Sequence, residues 1–236
     1  MTSLKIKYIT VLSDENAEGY KRLKKSLDYF KWEFQPIKAE WRGFGTKIIE
    51  SYKYIKEYCM DYDLVVFGDA YDTVVLAEPE KIINRWEGFN LITKETFGMI
   101  LSAEKAAWPH SQVSYYYDKV EGTPFQYVNS GTWIANPRFF VNMLEKFGLP
   151  SYEEDDQAYF TKLYLRKGEK YGVILDNFAE IFLCTAHSNE RSFTNLEKGL
   201  VRSNETKMVP SIIHFNGRTH SEPQVKHIVD FIDNLK

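Results

Sequence analysis

The chain is poor in three things, and each shortage removes a class of explanation. It carries only two cysteines, Cys59 and Cys184, in 236 residues. They make no disulfide framework and lack the spacing of metal ligands, so both read as reduced core residues. Charge of one sign is missing as well: 30 Lys and Arg against 33 Asp and Glu leave a net charge of −3. No global field therefore draws the chain to nucleic acid or to anionic lipid. Long apolar runs are also absent, and none approaches the roughly 20 residues of a membrane span. The amino-terminal stretch from Met1 to Leu12 lacks the apolar run and small-residue cleavage site of a signal peptide. A cytoplasmic protein without a membrane partner is the expectation, although a domain cut from a longer chain would read the same.

Several catalytic signatures are absent too. There is no Gly-x-Ser-x-Gly, no zinc-protease helix and no Gly-x-Gly-x-x-Gly, which disfavours serine hydrolases, zincins and dinucleotide oxidoreductases. The stretch from Gly43 to Lys47 contains two glycines and a lysine, but its spacing and ending are not those of a Walker A loop.

What remains is ample for a core. Apolar residues make up 44% of the chain and aromatics 16%, enough for one domain spanning 1–236. Tyr8 to Leu12 reads as a strand, and Glu18 to Tyr29 follows with helical spacing at Tyr20, Leu23 and Leu27. Glu33 to Ile37 reads as a strand and Thr46 to Tyr58 as a helix. Leu64 to Phe67 is a nearly continuous apolar run, the kind of strand a parallel sheet buries on both faces.

Farther along, Glu78-Pro79-Glu80 opens a helix. Met99 to Leu101, Tyr127 to Val128 and Trp133 to Ala135 read as strands. Pro137 to Phe147 and Asp155 to Leu165 read as helices. Val173 to Leu175, Ile181 to Leu183 and Ile212 to His214 are short strands, and Gln224 to Leu235 is a closing helix. Residues 103–126 and 185–210 are expected to be long loops. Alternating strands and helices in the first half predict a mostly parallel α/β sheet flanked by helices, with antiparallel additions in the second half.

Ligands of such sheets collect at the carboxyl ends of the strands. The strand from Leu64 ends in Asp69-Ala70-Tyr71-Asp72, two carboxylates three residues apart just beyond an apolar run. A hard cation such as Mn²⁺ or Mg²⁺ takes carboxylate oxygens together with those of a pyrophosphate. Asp61 and Asp63 precede that strand and read as a solvated turn at its other end. His214 closes another apolar strand and is suited to ligation through a neutral imidazole. Beside it, Asn216 and the amides around Gly217 could hold phosphate oxygens while Arg218 offsets their charge. The acidic run Glu153-Glu154-Asp155-Asp156 precedes a helix and has two readings, a helix cap or a sugar-binding pair. Asn129-Ser130-Gly131 reads as a tight turn whose polar groups look into a cleft.

In order along the chain, Glu40-Trp41-Arg42-Gly43, Asp69-Ala70-Tyr71-Asp72, Ser102-Ala103-Glu104, Trp108-Pro109, Asn129-Ser130-Gly131, Asp155-Asp156-Gln157 and His214-Phe215-Asn216-Gly217 form a colinear series. That series resembles the glycosyltransferase domain of the procollagen lysyl hydroxylases, a GT-A-type fold, over almost the whole chain. The resemblance implies a retaining transfer of glucose from UDP-glucose to galactosyl-hydroxylysine, with Mn²⁺ as cofactor. It implies that Asp69, Asp72 and His214 hold the metal and that Tyr71 lies against the uracil. It implies that Thr10, Trp41 and Lys47 line the nucleotide pocket and that Asp155 and Asp156 act in donor-sugar placement. Trp108 and Asn216 would flank the sugar and the acceptor.

The chain departs from that pattern in four places. The loop after Trp41 is short, the aspartate run is diluted by Glu153 and Glu154, Thr132 replaces a glycine, and Phe215 replaces another. Most of these departures sit where sugar and acceptor identity would be set. The acceptor is therefore left open between a collagen-like peptide, a surface glycan and hydroxymethylated DNA, and galactose stands beside glucose as donor sugar. A non-catalytic binding relative and a nucleotidyltransferase are the competing readings. The second would need a basic, glycine-rich loop where this chain has Ser13-Asp14-Glu15-Asn16. Oligomeric state is not legible.

Overall fold

The computed structural model describes residues 4–93, 97–167 and 172–235. Its first half follows the expected alternation: β1 (Ile6–Leu12), α1 (Glu18–Tyr29), β2 (Phe34–Lys38), α2 (Gly45–Tyr58) and β3 (Leu64–Gly68). Next come β4 (Thr73–Val75), α3 (Pro79–Thr93), β5 (Met99–Glu104), β6 (Tyr127–Ala135), α4 (Pro137–Phe147) and α5 (Asp156–Lys167). The remainder is β7 (Val173–Asp176), β8 (Phe182–Cys184), β9 (Phe193–Asn195), β10 (Val201–Ser203), β11 (Ile212–His214) and α6 (Lys226–Asp233).

Local chemistry accounts for the element boundaries. Helix α1 turns Tyr20, Leu23 and Leu27 into the core at helical spacing. Helix α4 starts where the Asn136 side chain accepts a hydrogen bond from the Phe139 amide and Pro137 supplies the first turn. It stops at Gly148, whose φ of +94° suits glycine. Among the described residues no helix is long and apolar enough to cross a membrane.

The central sheet has strand order β2-β1-β3-β6-β5-β7. The β1/β2, β1/β3 and β5/β7 ladders are parallel, whereas β6 runs antiparallel to both β3 and β5. Strand β3 is buried on both faces, as its apolar run requires. Val65 and Phe67 join the cluster that includes Trp133 and Phe140, while Leu64 and Val66 join Tyr8, Ile100 and Ile134 across the sheet. The Phe67, Trp133 and Phe140 rings stack with centroids 5.2 and 4.6 Å apart.

A second, three-stranded sheet, β4-β11-β8, positions the site. Strand β4 is only three residues long and was hidden in the apolar run after Asp72. It pairs antiparallel with β11, in a register that sets His214 opposite Thr73. The end of β3, the start of β4 and the end of β11 therefore meet at one place.

Three sequence expectations need correction. Asn129-Ser130-Gly131 is not a turn between two strands but lies inside the single strand β6. Its polar and glycine residues mark a bulge. Leu101 pairs with Trp133 and the next residue, Ser102, with Asn129, so residues 130–132 have no partner on β5. The region 185–210 is not all loop, because β9 and β10 form an antiparallel hairpin within it. The region 103–126 likewise begins with the end of β5 and carries a 3₁₀ turn at Ser111–Tyr116.

Candidate active site

Asp69 and Asp72 are held by the turn that links β3 to β4. The Asp69 amide donates to the Gly131 carbonyl at 2.8 Å, and the Thr73 hydroxyl donates to the Asp69 carbonyl at 2.6 Å. The Phe215 amide donates to the Asp72 carbonyl at 2.7 Å, tying the turn to the end of β11. His214 Nε2 lies 3.4 Å from Asp72 Oδ2 and 3.7 Å from Asp69 Oδ2. One ligand atom from each of the three residues lies within 4.8 Å of the others, a group that could hold a metal ion. Gly131 permits this approach, since a Cβ there would overlap the His214 ring.

Asp61 and Asp63 sit elsewhere, as expected of a solvated turn, with Asp61 paired to Lys5 at 2.6 Å on the surface. Cys59 and Cys184 are free and buried. Cys184, though, is more than filler, because its Sγ lies 3.9 Å from His214 Nδ1.

Electrostatics tie the group together. Burial raises the Asp69 carboxyl above the ordinary range, opposed by Lys47 and reinforced by Asp72. Burial alone would raise Asp72, but the charge and hydrogen bond of His214, together with the charge of Lys47, hold that carboxyl low. For His214 burial works against the charged form, yet Asp72 prevails and lifts the imidazole well above its usual value.

Lys47 connects this group to the acidic run. Its Nζ lies 2.8 Å from Asp69 Oδ1 and 2.6 Å from Asp156 Oδ2, with little solvent access on either side. Burial disfavours the ammonium, but Asp156 and Asp69 overcome it and keep the lysine charged. The glycines before Lys47 explain how the short loop reaches this far. A Cβ on Gly43 or Gly45 would overlap the backbone at Ser151 and Tyr152, and the Gly45 amide donates to the Tyr152 carbonyl at 3.0 Å. The loop is thus pressed directly onto the segment that carries the aspartates. Of the two readings of that run, Asp155 serves the cap, its Oδ1 accepting the Ala158 amide at 2.7 Å. Asp156 opens α5 and turns to Lys47.

These residues border a cavity of about 470 Å³, whose floor is Asp69, Asp72, Gly131 and His214. Asp155, Asp156, Trp108, Asn216 and Gly217 also line it, so most of the expected sugar-side and phosphate-side residues come together. Trp108 stands at the mouth, 61% exposed.

A residue given no role in the sequence reading, Glu104, also lines the cavity while remaining 5% exposed. Its Oε2 accepts from Asn216 Nδ2 at 2.8 Å, and its Oε1 accepts from Gln157 Nε2. Burial raises its carboxyl, opposed by the bond from Gln157. The available signal was positional: Glu104 ends β5 as Asp69 follows β3.

Other expected residues lie behind or beside the cavity. Thr10 is fully buried on β1, and its hydroxyl donates to the Gly68 carbonyl at 2.7 Å. It braces β3 rather than lining the cavity. Trp41 is half-exposed with its ring edge against Phe44, and Phe44 is the one that lines the cavity. Tyr71 projects toward the end of β1, where its hydroxyl accepts from the amides of Ser13 at 2.9 Å and Asp14 at 2.8 Å. The Arg218 side chain lies outside the described residues.

Comparison with known proteins adds to this geometry. A family model described as the PLOD GT domain matches residues 2–235. The human multifunctional procollagen lysine hydroxylase and glycosyltransferase LH3 is 25% identical over 245 residues, covering 98% of this chain and 32% of that protein. A procollagen-lysine,2-oxoglutarate 5-dioxygenase of Drosophila melanogaster is 30% identical over 231 residues, covering 90% of this chain and 30% of that protein. The chain thus spans about a third of the length of these curated relatives. A solved glycosyltransferase, involved in glycosylation of the major capsid of PBCV-1, shares the fold with a TM-score of 0.54 and 8% identity. That likeness covers 96% of this chain and 98% of the other.

Proposed function

The chain belongs to the PLOD GT domain family of glycosyltransferases, and from that premise we propose that it moves a hexose from a UDP-sugar to a hydroxyl acceptor, with a divalent cation as cofactor. Glucose is the preferred donor sugar and Mn²⁺ the preferred cation. One observation carries the reading: two carboxylates and an imidazole meet on a cavity floor that Lys47 joins to a third carboxylate, Asp156.

Asp69, Asp72 and His214 would hold the cation, and a donor set of carboxylate oxygens and imidazole suits Mn²⁺. When bound, such a cation neutralises charge on the diphosphate leaving group. The remaining work falls to the protein. Lys47 fixes the Asp156 carboxylate at 2.6 Å, so its negative charge is already oriented before donor arrives. Asp156, with Asp155 beside it on the cavity wall, would stabilise positive charge growing at the anomeric carbon. In a retaining transfer the acceptor hydroxyl attacks from the leaving-group side, which leaves these carboxylates free to act from the opposite side. Tyr71 and Trp41 are the proposed platform for the uracil, and Gly217 and Arg218 the proposed diphosphate contacts.

The acceptor would enter between Trp108 and Asn216. Galactosyl-hydroxylysine in a collagen-like peptide is the first choice, with a glycan or hydroxymethylated DNA as the other acceptors to be tried. The test is UDP release with Mn²⁺ across a panel of UDP-sugars, without acceptor and then with each acceptor class. UDP-glucose should give the fastest release, and Asp72→Ala should abolish it. Full metal-dependent turnover by Asp72→Ala, or no release from any donor, would overturn the reading.

A further inference from the structure

We infer that Asn129 is a positioning residue that keeps a proton on His214 Nδ1, the last link of a hydrogen-bond relay running from Glu104 through Gln157. The inference rests on the proposal that Asp69, Asp72 and His214 hold a cation, and it identifies what keeps His214 in a state able to do so.

An imidazole binds a metal through whichever nitrogen lacks a proton, and the partner of the other nitrogen decides which one that is. His214 turns Nε2 toward Asp69 and Asp72, so the choice is made at Nδ1, which lies 2.9 Å from Asn129 Oδ1. Whether that contact holds a proton on the ring depends on which way the Asn129 amide points. Here its orientation is fixed. The Gly131 backbone amide can only donate, and it donates to Asn129 Oδ1 at 3.0 Å. A flipped Asn129 would set two donors against each other. With the oxygen on that side the amide can only accept from His214, so Nδ1 carries the proton.

The far end of the relay gives the same answer. The Ala186 amide donates to Asn216 Oδ1 at 2.9 Å, which turns Asn216 Nδ2 to the Glu104 carboxylate at 2.8 Å. Gln157 Nε2 donates to the other oxygen of Glu104. That turns Gln157 Oε1 outward to accept from Asn129 Nδ2 at 3.3 Å. Two independently oriented ends therefore agree on one arrangement of three amides and a histidine. The Cys184 thiol approaches the same ring nitrogen, but at 3.9 Å it is the weaker neighbour. In the alternative tautomer a proton would sit on Nε2, in the position a cation needs.

The test reads cation binding and the ring proton rather than turnover. In a Mn²⁺ titration followed by electron paramagnetic resonance, Asn129→Leu should bind about 10–100-fold more weakly than wild type. Asn129→Asp keeps the acceptor and should hold close to wild type. Gln157→Leu breaks the relay one bond farther away and should show a smaller loss. Thermal unfolding of each variant identifies any that fail to fold. Nitrogen-15 NMR of metal-free wild-type protein, needing no variant and taken at a pH high enough that the ring holds a single proton, should place that proton on His214 Nδ1. Unchanged Mn²⁺ affinity in folded Asn129→Leu, equal losses in the Leu and Asp variants, or a bare Nδ1 would each overturn the inference. Asp72→Ala separates the two ideas. If it loses Mn²⁺ while Asn129→Leu keeps it, the relay alone is wrong; if it keeps Mn²⁺, the metal reading is wrong.

Discussion

The two sides of the cavity are held by different kinds of interaction. On one side the contacts are between full charges: Lys47 is set between Asp69 and Asp156, and His214 beside Asp72. On the other side they run mostly through neutral amides, with Asn129 and Gln157 linking His214 to Glu104 and Asn216 donating to Glu104 from its far side. Charge pairs concentrate free energy in a few buried atoms, so the first side should fail abruptly when one partner is lost. The amide side spreads its energy over several bonds of modest net worth, and its contribution is orientation.

The sharpest way to break that contrast is Lys47→Met. It removes the cation from between two carboxylates that have little access to water. Stripping one partner from a buried ion pair costs about 3–5 kcal/mol, and urea unfolding near neutral pH should show a loss of that size. The deficit should shrink as pH falls, because the Asp69 carboxyl, raised by burial, can then take up a proton. A second change, Asp156→Asn, should restore part of the loss in the same background. A loss no larger than that of an exposed pair, at most about 1 kcal/mol, would mean that the two sides do not differ in kind.

The charged side was also the legible one. Asp69, Asp72 and His214 each stand at the end of an apolar run, and a strand leaves a strong trace in sequence when both its faces are buried. The amide side left almost none. Asn129 and Gly131 have the composition of a turn, and only pairing with β5 reveals that they form a bulge inside β6. Glu104 meets Asn216 across 112 positions, too far for any periodicity to register. Strand β4 escaped for a different reason, since three residues are too few to display alternation. The helices, each with an apolar face repeated over several turns, were placed within a few residues.

Proton competition sharpens the comparison at the point where the sides join. The Asp72 carboxylate raises the His214 imidazole well above its usual value, so in the absence of a cation the ring holds two protons near neutral pH. A cation must displace the one on Nε2, whereas Asn129 keeps the one on Nδ1. The sign follows: affinity is lowest when the imidazolium is favoured and rises as pH increases. Below the raised value each pH unit should strengthen binding by about 1.4 kcal/mol, or roughly tenfold, until the ring has titrated. Mn²⁺ titrations at several pH values measure that slope. A flat profile would mean that Nε2 does not carry the displaced proton.

The smallest expected effect tests a residue that belongs to both descriptions. Asp155 lines the cavity as a carboxylate, yet its Oδ1 also accepts the Ala158 amide at 2.7 Å as a helix cap. Asp155→Ala removes both roles and should cost about 1 kcal/mol of stability through the lost cap. Asp155→Asn keeps a cap of similar quality, so its stability should stay near wild type while the charge disappears. If UDP release also stays near wild type in the Asn variant, Asp155 is a cap alone and the charge that faces the donor is carried by Asp156. If release falls while stability holds, the residue's charge acts on the sugar, and the cap is what aims it there.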